Sequence, residues 1–292
     1  MKLCAEWLPK TIYIHIKMEF HHHWVEITGQ KLHYQQTGSG TPVVLIHGLL
    51  GGSFCWRFNI PALSGPHSVF AVDLPGFGPS DAPRTTDCSM QAQALRLLGL
   101  IDQLQFDSVD VVASSWGGAV AFFLAAQSQK VRSLVLAAPV NPWSDFGMER
   151  VRFFSGRLGG WLLRMAIPIS SPLHGVVLRR MYGDPGRIPE GTLQGYAAML
   201  MRQGRVYNLL SALRTWEDDM HALRNAITQV QVPVLLIWGT KDGAVDMRSA
   251  VALEHALPHC ETALLPGVGH LPFEENPEGF DRLVLDFLAR SA

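Results

Sequence analysis

The stretch Val109-Asp-Val-Val-Ala-Ser114 reads as a buried strand, and the chain passes from it through Ser115, Trp116, Gly117 and Gly118 directly into an apolar helical run. Strand and helix have only a few residues in which to change direction. So tight a turn admits only small side chains two positions before and two positions after its apex. Ala113 and Gly117 meet that demand around Ser115, whereas centring the turn on the rival Ser114 puts Val112 and Trp116 at the crowded positions. The turn lifts Ser115 above the sheet edge at a helix N-terminus, where backbone N–H groups and the positive end of the dipole favour an anion. Ser115 is thus a candidate nucleophile. The uncharged run from Val111 to Gln129 is long enough to cross a bilayer, but two serines and two glycines at its middle argue for strand, turn and buried helix instead.

The pattern on either side is that of a parallel sheet covered on both faces. Predicted strands are Trp24–Ile27, Lys31–Gln36, Pro42–His47, Val69–Asp73, Val109–Ser114, Ser133–Ala137, Val234–Trp238 and Glu261–Leu265, about eight in all. Predicted helices include Met90–Leu104, with Leu95, Leu98 and Ile101 on one face, Gly117–Gln127, Arg248–Leu257 and Pro277–Ala289. The alternation stops near residue 139 and resumes near 230. Residues 140–229, punctuated by prolines and rich in Leu, Met and Trp, are expected to form a helical cap inserted into a core of residues 24–139 and 230–292. Residues 1–23 form an N-terminal extension in which Ile12, Ile14, Ile16, Met18 and Phe20 alternate with Thr11, Tyr13, His15, Lys17 and Glu19, the period of an extra edge strand. His21, His22 and His23 point in different directions as adjacent residues, so a solvated turn is a better reading of them than a metal site.

The elbow around Ser115 resembles that of the α/β-hydrolase superfamily, whose nucleophile usually stands in Gly-x-Ser-x-Gly; Ala113 replaces the first glycine but is still small. The resemblance runs from Trp24 to the end of the chain. It implies an α/β-hydrolase fold: a central, mostly parallel eight-stranded sheet flanked by helices. In that family the loop after the His-Gly of Val43–Gly52 supplies one oxyanion amide, here Leu49, and the residue after the nucleophile supplies the other, here Trp116. His47 then shapes the loop. The catalytic base is expected at His270, in the Gly-rich phrase Pro266-Gly-Val-Gly-His-Leu-Pro-Phe, where an imidazole with an ordinary pKa of about 6.5 suits proton transfer near neutrality. Asp242, in the turn Gly239-Thr-Lys-Asp after a predicted strand, matches the family's acid, and the order Ser115, Asp242, His270 is that of these hydrolases. Asp246 and Asp145 are weaker candidates for the acid. The phrase Asp73-Leu-Pro-Gly-Phe-Gly-Pro-Ser-Asp81 also matches a family loop, with Asp73 expected to bond backbone amides.

A serine at the nucleophile position argues against the haloalkane dehalogenase and epoxide hydrolase branches, which need a carboxylate to form an ester intermediate. The expected function is a carboxylic ester hydrolase working through an acyl-enzyme on apolar acyl or aromatic esters, with Trp143 and Trp161 lining a cleft under the cap. The alternatives are a carbon–carbon bond hydrolase of aromatic ring-cleavage products, or a lactonase. Against the first, Leu271 stands where those relatives usually place Trp after the catalytic His. A non-catalytic receptor on the same fold fits an intact Ser, Asp and His poorly.

Lys plus Arg at 24 against Asp plus Glu at 25 leaves a net charge of −1, which disfavours bulk nucleic-acid binding. Those charges are unevenly spread: residues 140–229 hold eleven Arg and seven acids, a basic cap on an acidic body. A lipase at a membrane surface would use such arginines, but solvated helix faces account for them as well. The four dispersed cysteines, Cys4, Cys55, Cys88 and Cys260, fit neither a zinc cluster nor a disulfide framework. They read as reduced thiols of a cytoplasmic protein acting on a small-molecule ester, with no cofactor, no metal and no stable membrane insertion.

Overall fold

The computed structural model describes residues 20–145, 147–166, 171–200 and 204–291. All but the last residue of the edge strand expected at 12–20 lies outside them. Eight strands form one sheet: β1 (His21–Ile27), β2 (Gln30–Thr37), β3 (Thr41–Ile46), β4 (His67–Asp73), β5 (Val109–Ser114), β6 (Val131–Ala137), β7 (Val234–Gly239) and β8 (Cys260–Leu265). Their order is β1-β2-β4-β3-β5-β6-β7-β8. The two pairs made by β2 are antiparallel and the others parallel.

Both faces of the central strands are covered, which is why those strands are apolar without interruption. Val44 and Ile46 of β3 point into one core with Val111 and Ala113 of β5 and Leu236 and Trp238 of β7; Val43 and Leu45 point into the other with Val112, Leu235 and Ile237. The first core is closed by α2 (Met90–Gln103), α3 (Trp116–Gln127), α9 (Trp216–Thr228) and α10 (Ser249–Ala256). The second is closed by α1 (Ile60–Leu63), α11 (Pro272–Glu275) and α12 (Pro277–Arg290). Between β6 and β7 the chain runs through α4 (Met148–Ser155), α5 (Arg157–Ala166), α6 (Ser171–Met181), α7 (Thr192–Leu200), α8 (Arg205–Arg214) and α9. Among the described residues no helix is long and apolar enough to cross a membrane.

Two local expectations need correction. His21, His22 and His23 are not a turn but the start of β1, paired with Gln36, Gln35 and Tyr34; stacking of His23 on Tyr34 at 5.0 Å holds this edge pair together. In α2 the buried face is Ala94, Leu97, Leu100 and Ile101, while Leu95 is 57 % exposed. Leucines occupy several faces of α2, and only docking against α3 and β1 decides which face turns inward.

Burial leaves two carboxyls with altered titration. It pushes Asp281 up from the ordinary 3.8 to about 6, against the bond donated by Asn59 Nδ2 at 2.7 Å, and it does the same to Asp219 despite the amide of Met90. A carboxyl that holds its proton more tightly when folded contributes stability below the unfolded pKa and loses it as pH rises through the folded one. In Asp281→Asn the amide oxygen still accepts from Asn59, so the stability of the variant relative to the parent is expected to grow as pH rises from about 4 to about 7. Urea unfolding at both pH values measures this, and a constant difference would exclude Asp281 as the source.

Candidate active site

Ser115, Asp242 and His270 meet at the C-terminal ends of the parallel strands, where the loops after β3 and β5 diverge to opposite sides of the sheet, a place where open α/β sheets form a crevice. Ser115 follows β5 with φ 52° and ψ −119°, a left-handed strain held by its amide donating to Ala137 O at 2.9 Å and its carbonyl accepting from Gly118 N and Val140 N. Gly117 cannot be larger: a Cβ there would lie 2.3 Å from the His47 carbonyl oxygen. The small-residue spacing seen in the sequence thus reflects contact between the elbow and the loop after β3.

Ser115 Oγ lies 2.9 Å from His270 Nε2, and His270 Nδ1 lies 2.9 Å from Asp242 Oδ2. The hydroxyl therefore donates to Nε2 while Nδ1–H donates to the carboxylate, an arrangement assigned from the network. Asp242 comes from the turn after β7; its other oxygen accepts from Ala244 N at 2.7 Å and Val245 N at 3.1 Å. His270 comes from the loop after β8, and its amide donates to Met181 O at 2.6 Å. A hydroxyl, a base and a carboxylate in hydrogen-bonded series are the parts needed to activate an oxygen nucleophile. The weaker acid candidates are elsewhere: Asp145 is exposed and Asp246 binds Arg248 at 2.7 Å.

Leu49 and Trp116 border the same space as Ser115, and Trp116 opens α3, whose first-turn amides have no acceptor within the helix. His47 is fully buried and serves the loop, with Nδ1–H donating to Gly48 O at 2.8 Å and Nε2 accepting from Leu74 N at 3.1 Å. Burial lowers its pKa and keeps it neutral for both bonds. Asp73 accepts from Ser53 N and from His33 Nδ1, each at 2.7 Å. Burial, the largest single influence, would raise its pKa, but the bond and charge of His33, the charge of His47 and the Ser53 amide together outweigh it and the carboxylate titrates below its ordinary range.

Sequence reasoning missed a second polar cluster beside His270. Glu274 is buried and accepts from Arg57 Nη1 at 2.7 Å, Tyr182 OH at 2.6 Å and Tyr196 OH at 2.7 Å. Glu275 accepts from Gly269 N, Gly183 N and Asp184 N at 2.7–2.9 Å. These carboxylates tie the loop carrying His270 to the helical segment that follows β6. Burial, then the charge of Glu274, pushes both phenols far up and keeps them as donors. The only trace in the sequence is the pair of acids following His270, which no periodicity distinguishes from a solvated helix start.

Ser115 and His270 open into a cavity of about 420 Å³, within the range of small-molecule sites. Its far wall is apolar, with Phe154, Leu163, Met181 and Trp216 contributed by the helical segment. Neither tryptophan expected to line it does so. Trp143 is half-buried beneath the Arg224 guanidinium, 5.3 Å from the ring centre, and Trp161 is half exposed on α5. Rotation of α5 turns Leu163 rather than Trp161 toward the cavity, and the tryptophan of the helical segment that lines it is Trp216.

A model of the family described as alpha/beta hydrolase fold matches residues 41–277. The soluble epoxide hydrolase of Corynebacterium sp. (strain C12) is 28 % identical over 288 residues, covering 93 % of this chain and 98 % of its own. A 2-hydroxy-6-oxononadienedioate/2-hydroxy-6-oxononatrienedioate hydrolase of Pseudomonas putida is 28 % identical over 270 residues, covering 88 % and 91 %. Among solved structures, the ligand-free epoxide hydrolase CorEH superposes with a TM-score of 0.83 at 24 % identity over 94 % of this chain and 100 % of its own.

Proposed function

Starting from the fact that this chain belongs to the alpha/beta hydrolase fold family, we propose that it hydrolyses carboxylic esters with apolar acyl or aromatic groups through an acyl-enzyme on Ser115. The observation that carries this reading is the unbroken series Ser115 Oγ, His270 Nε2, His270 Nδ1 and Asp242 Oδ2, opening into an apolar cavity. His270 takes the hydroxyl proton as Ser115 attacks the ester carbonyl, and returns it to the departing alcohol. The amides of Leu49 and Trp116 receive the negative charge on the carbonyl oxygen, each such donor typically contributing about 2.7–4 kcal/mol to the barrier reduction. Water activated by His270 then releases the acid. Residues 140–229 act in this scheme as the cap over the cavity.

Epoxide opening through an ester intermediate requires a carboxylate nucleophile, and the elbow here carries a hydroxyl. The test is hydrolysis of p-nitrophenyl esters from acetate to palmitate. Activity is expected to peak at short acyl chains and to vanish in Ser115→Ala. A folded protein that cleaves none of them would sink the ester reading and move the weight to carbon–carbon bond cleavage, the activity named for the Pseudomonas putida relative.

A further inference from the structure

Helix α5 turns the usual amphipathic order inside out. Its buried residues are Gly159 and Gly160, while Leu158, Trp161, Leu162 and Met165 stand 65 %, 51 %, 39 % and 52 % exposed. Their spacing places all four on one stripe. The glycines cannot trade places with them, because a Cβ on Gly159 would sit 2.1 Å from the Phe153 carbonyl oxygen of α4. Packing within the fold therefore accounts for the bare inner side and leaves the large outer side chains without a function. Phe153 adds further exposed apolar surface, and Val177 of α6 is both exposed and part of the cavity wall shared with Leu163 and Phe154. Exposed apolar surface at Val177 thus adjoins the chamber that holds Ser115.

Charge narrows the choice of partner. From Arg150 to Gly183 the chain carries six arginines and no aspartate or glutamate. Arg157 and Arg164 run along one side of the stripe on α5, and Arg179 and Arg180 lie in the last turn of α6. Among the described residues none of these four has a carboxylate partner. A second copy of this chain meeting the face about a two-fold axis would set arginine against arginine. An anionic bilayer offers the complement to both features, phosphates for the guanidiniums and an acyl boundary for the stripe.

We infer that α5 docks this face of the protein on an anionic phospholipid surface. Ten residues span about 15 Å as a helix, half of a bilayer's hydrocarbon thickness, so α5 lies in the interface plane and does not cross. Trp161 sits at the headgroup level that suits an indole. Docking is independent of which bond the site cleaves.

The test is flotation of the full-length chain with vesicles of phosphatidylglycerol or of phosphatidylcholine. Partitioning is expected to be at least about tenfold stronger on phosphatidylglycerol and to weaken with added salt. Leu158→Gln/Leu162→Gln/Met165→Gln is expected to lower it about tenfold, and Arg157→Gln or Arg164→Gln about fivefold each. The three stripe residues and Arg157 are exposed, so the melting curves of those variants should match the parent; if the triple variant does not fold, Leu158→Gln alone tests the stripe and should still weaken binding. Failure to bind either vesicle, or binding indifferent to every α5 substitution, would overturn the inference. So would a concentration-dependent dimer that these substitutions dissolve, which would assign the stripe to a second copy.

Discussion

Asp242→Asn is expected to lower kcat about 10⁴-fold with little change in KM, as the loss of the third member does in other Ser-His-Asp triads. The structure supplies the reason. One oxygen of Asp242 is committed to two backbone amides, Ala244 N and Val245 N, so an asparagine keeps its carbonyl oxygen there and turns its NH₂ toward His270 Nδ1. Two donors then face each other. The imidazole is driven to the tautomer with its proton on Nε2, where it can no longer accept from Ser115 Oγ at 2.9 Å. The fold should be untouched because size and shape are kept, so a normal melting curve beside the rate loss separates the effect from unfolding. A loss smaller than about tenfold would show that another carboxylate orients His270.

The largest expected effect on stability is that of Arg57→Met. The Glu274 side chain has no solvent exposure, and Arg57 is the only cation bonded to it among the described residues. Removing the guanidinium leaves a buried carboxylate supported by two phenols and strips Thr192 of its bond from Arg57 Nη2. Breaking a buried pair from one side costs about 3–5 kcal/mol, which for a chain of this size lowers Tm on the order of 10 °C. The double variant Arg57→Met/Glu274→Leu is expected to recover part of the loss, since an apolar pair carries no unpaired charge. Calorimetry of both variants checks this, and a single variant that melts with the parent would show that Glu274 finds its compensation elsewhere. Tyr196 lines the cavity and Glu274 lies four residues beyond His270, so the pair also braces the site.

Ser115, Asp242 and His270, which the structure joins in one hydrogen-bonded series, each carry a local signal in the sequence. A strained turn demands small neighbours, an acid turn and a Gly-rich loop each follow an apolar strand, and these constraints act within a few residues of the chain. The central strands were legible for a related reason: strands covered on both faces require uninterrupted apolar runs such as Val43–Ile46, Val109–Ala113 and Val234–Trp238. The rest depended on partners far away in sequence. His21–His23 became a strand only because β2 lies alongside, and α2 chose Leu97 over Leu95 only by packing against its neighbours. Trp161 was turned out and Leu163 turned in by glycines that press α5 onto α4. Arg57 and Glu274, 217 residues apart, carry no mark of each other in the sequence. Local constraints sufficed for the central strands, the elbow and the chain order of Ser115, Asp242 and His270, because backbone strain and strand burial act within a few residues. Which residues wall the cavity, which carboxylates are buried and which apolar face stays uncovered were decided by tertiary structure, because burial is settled only when distant segments compete for the same surface.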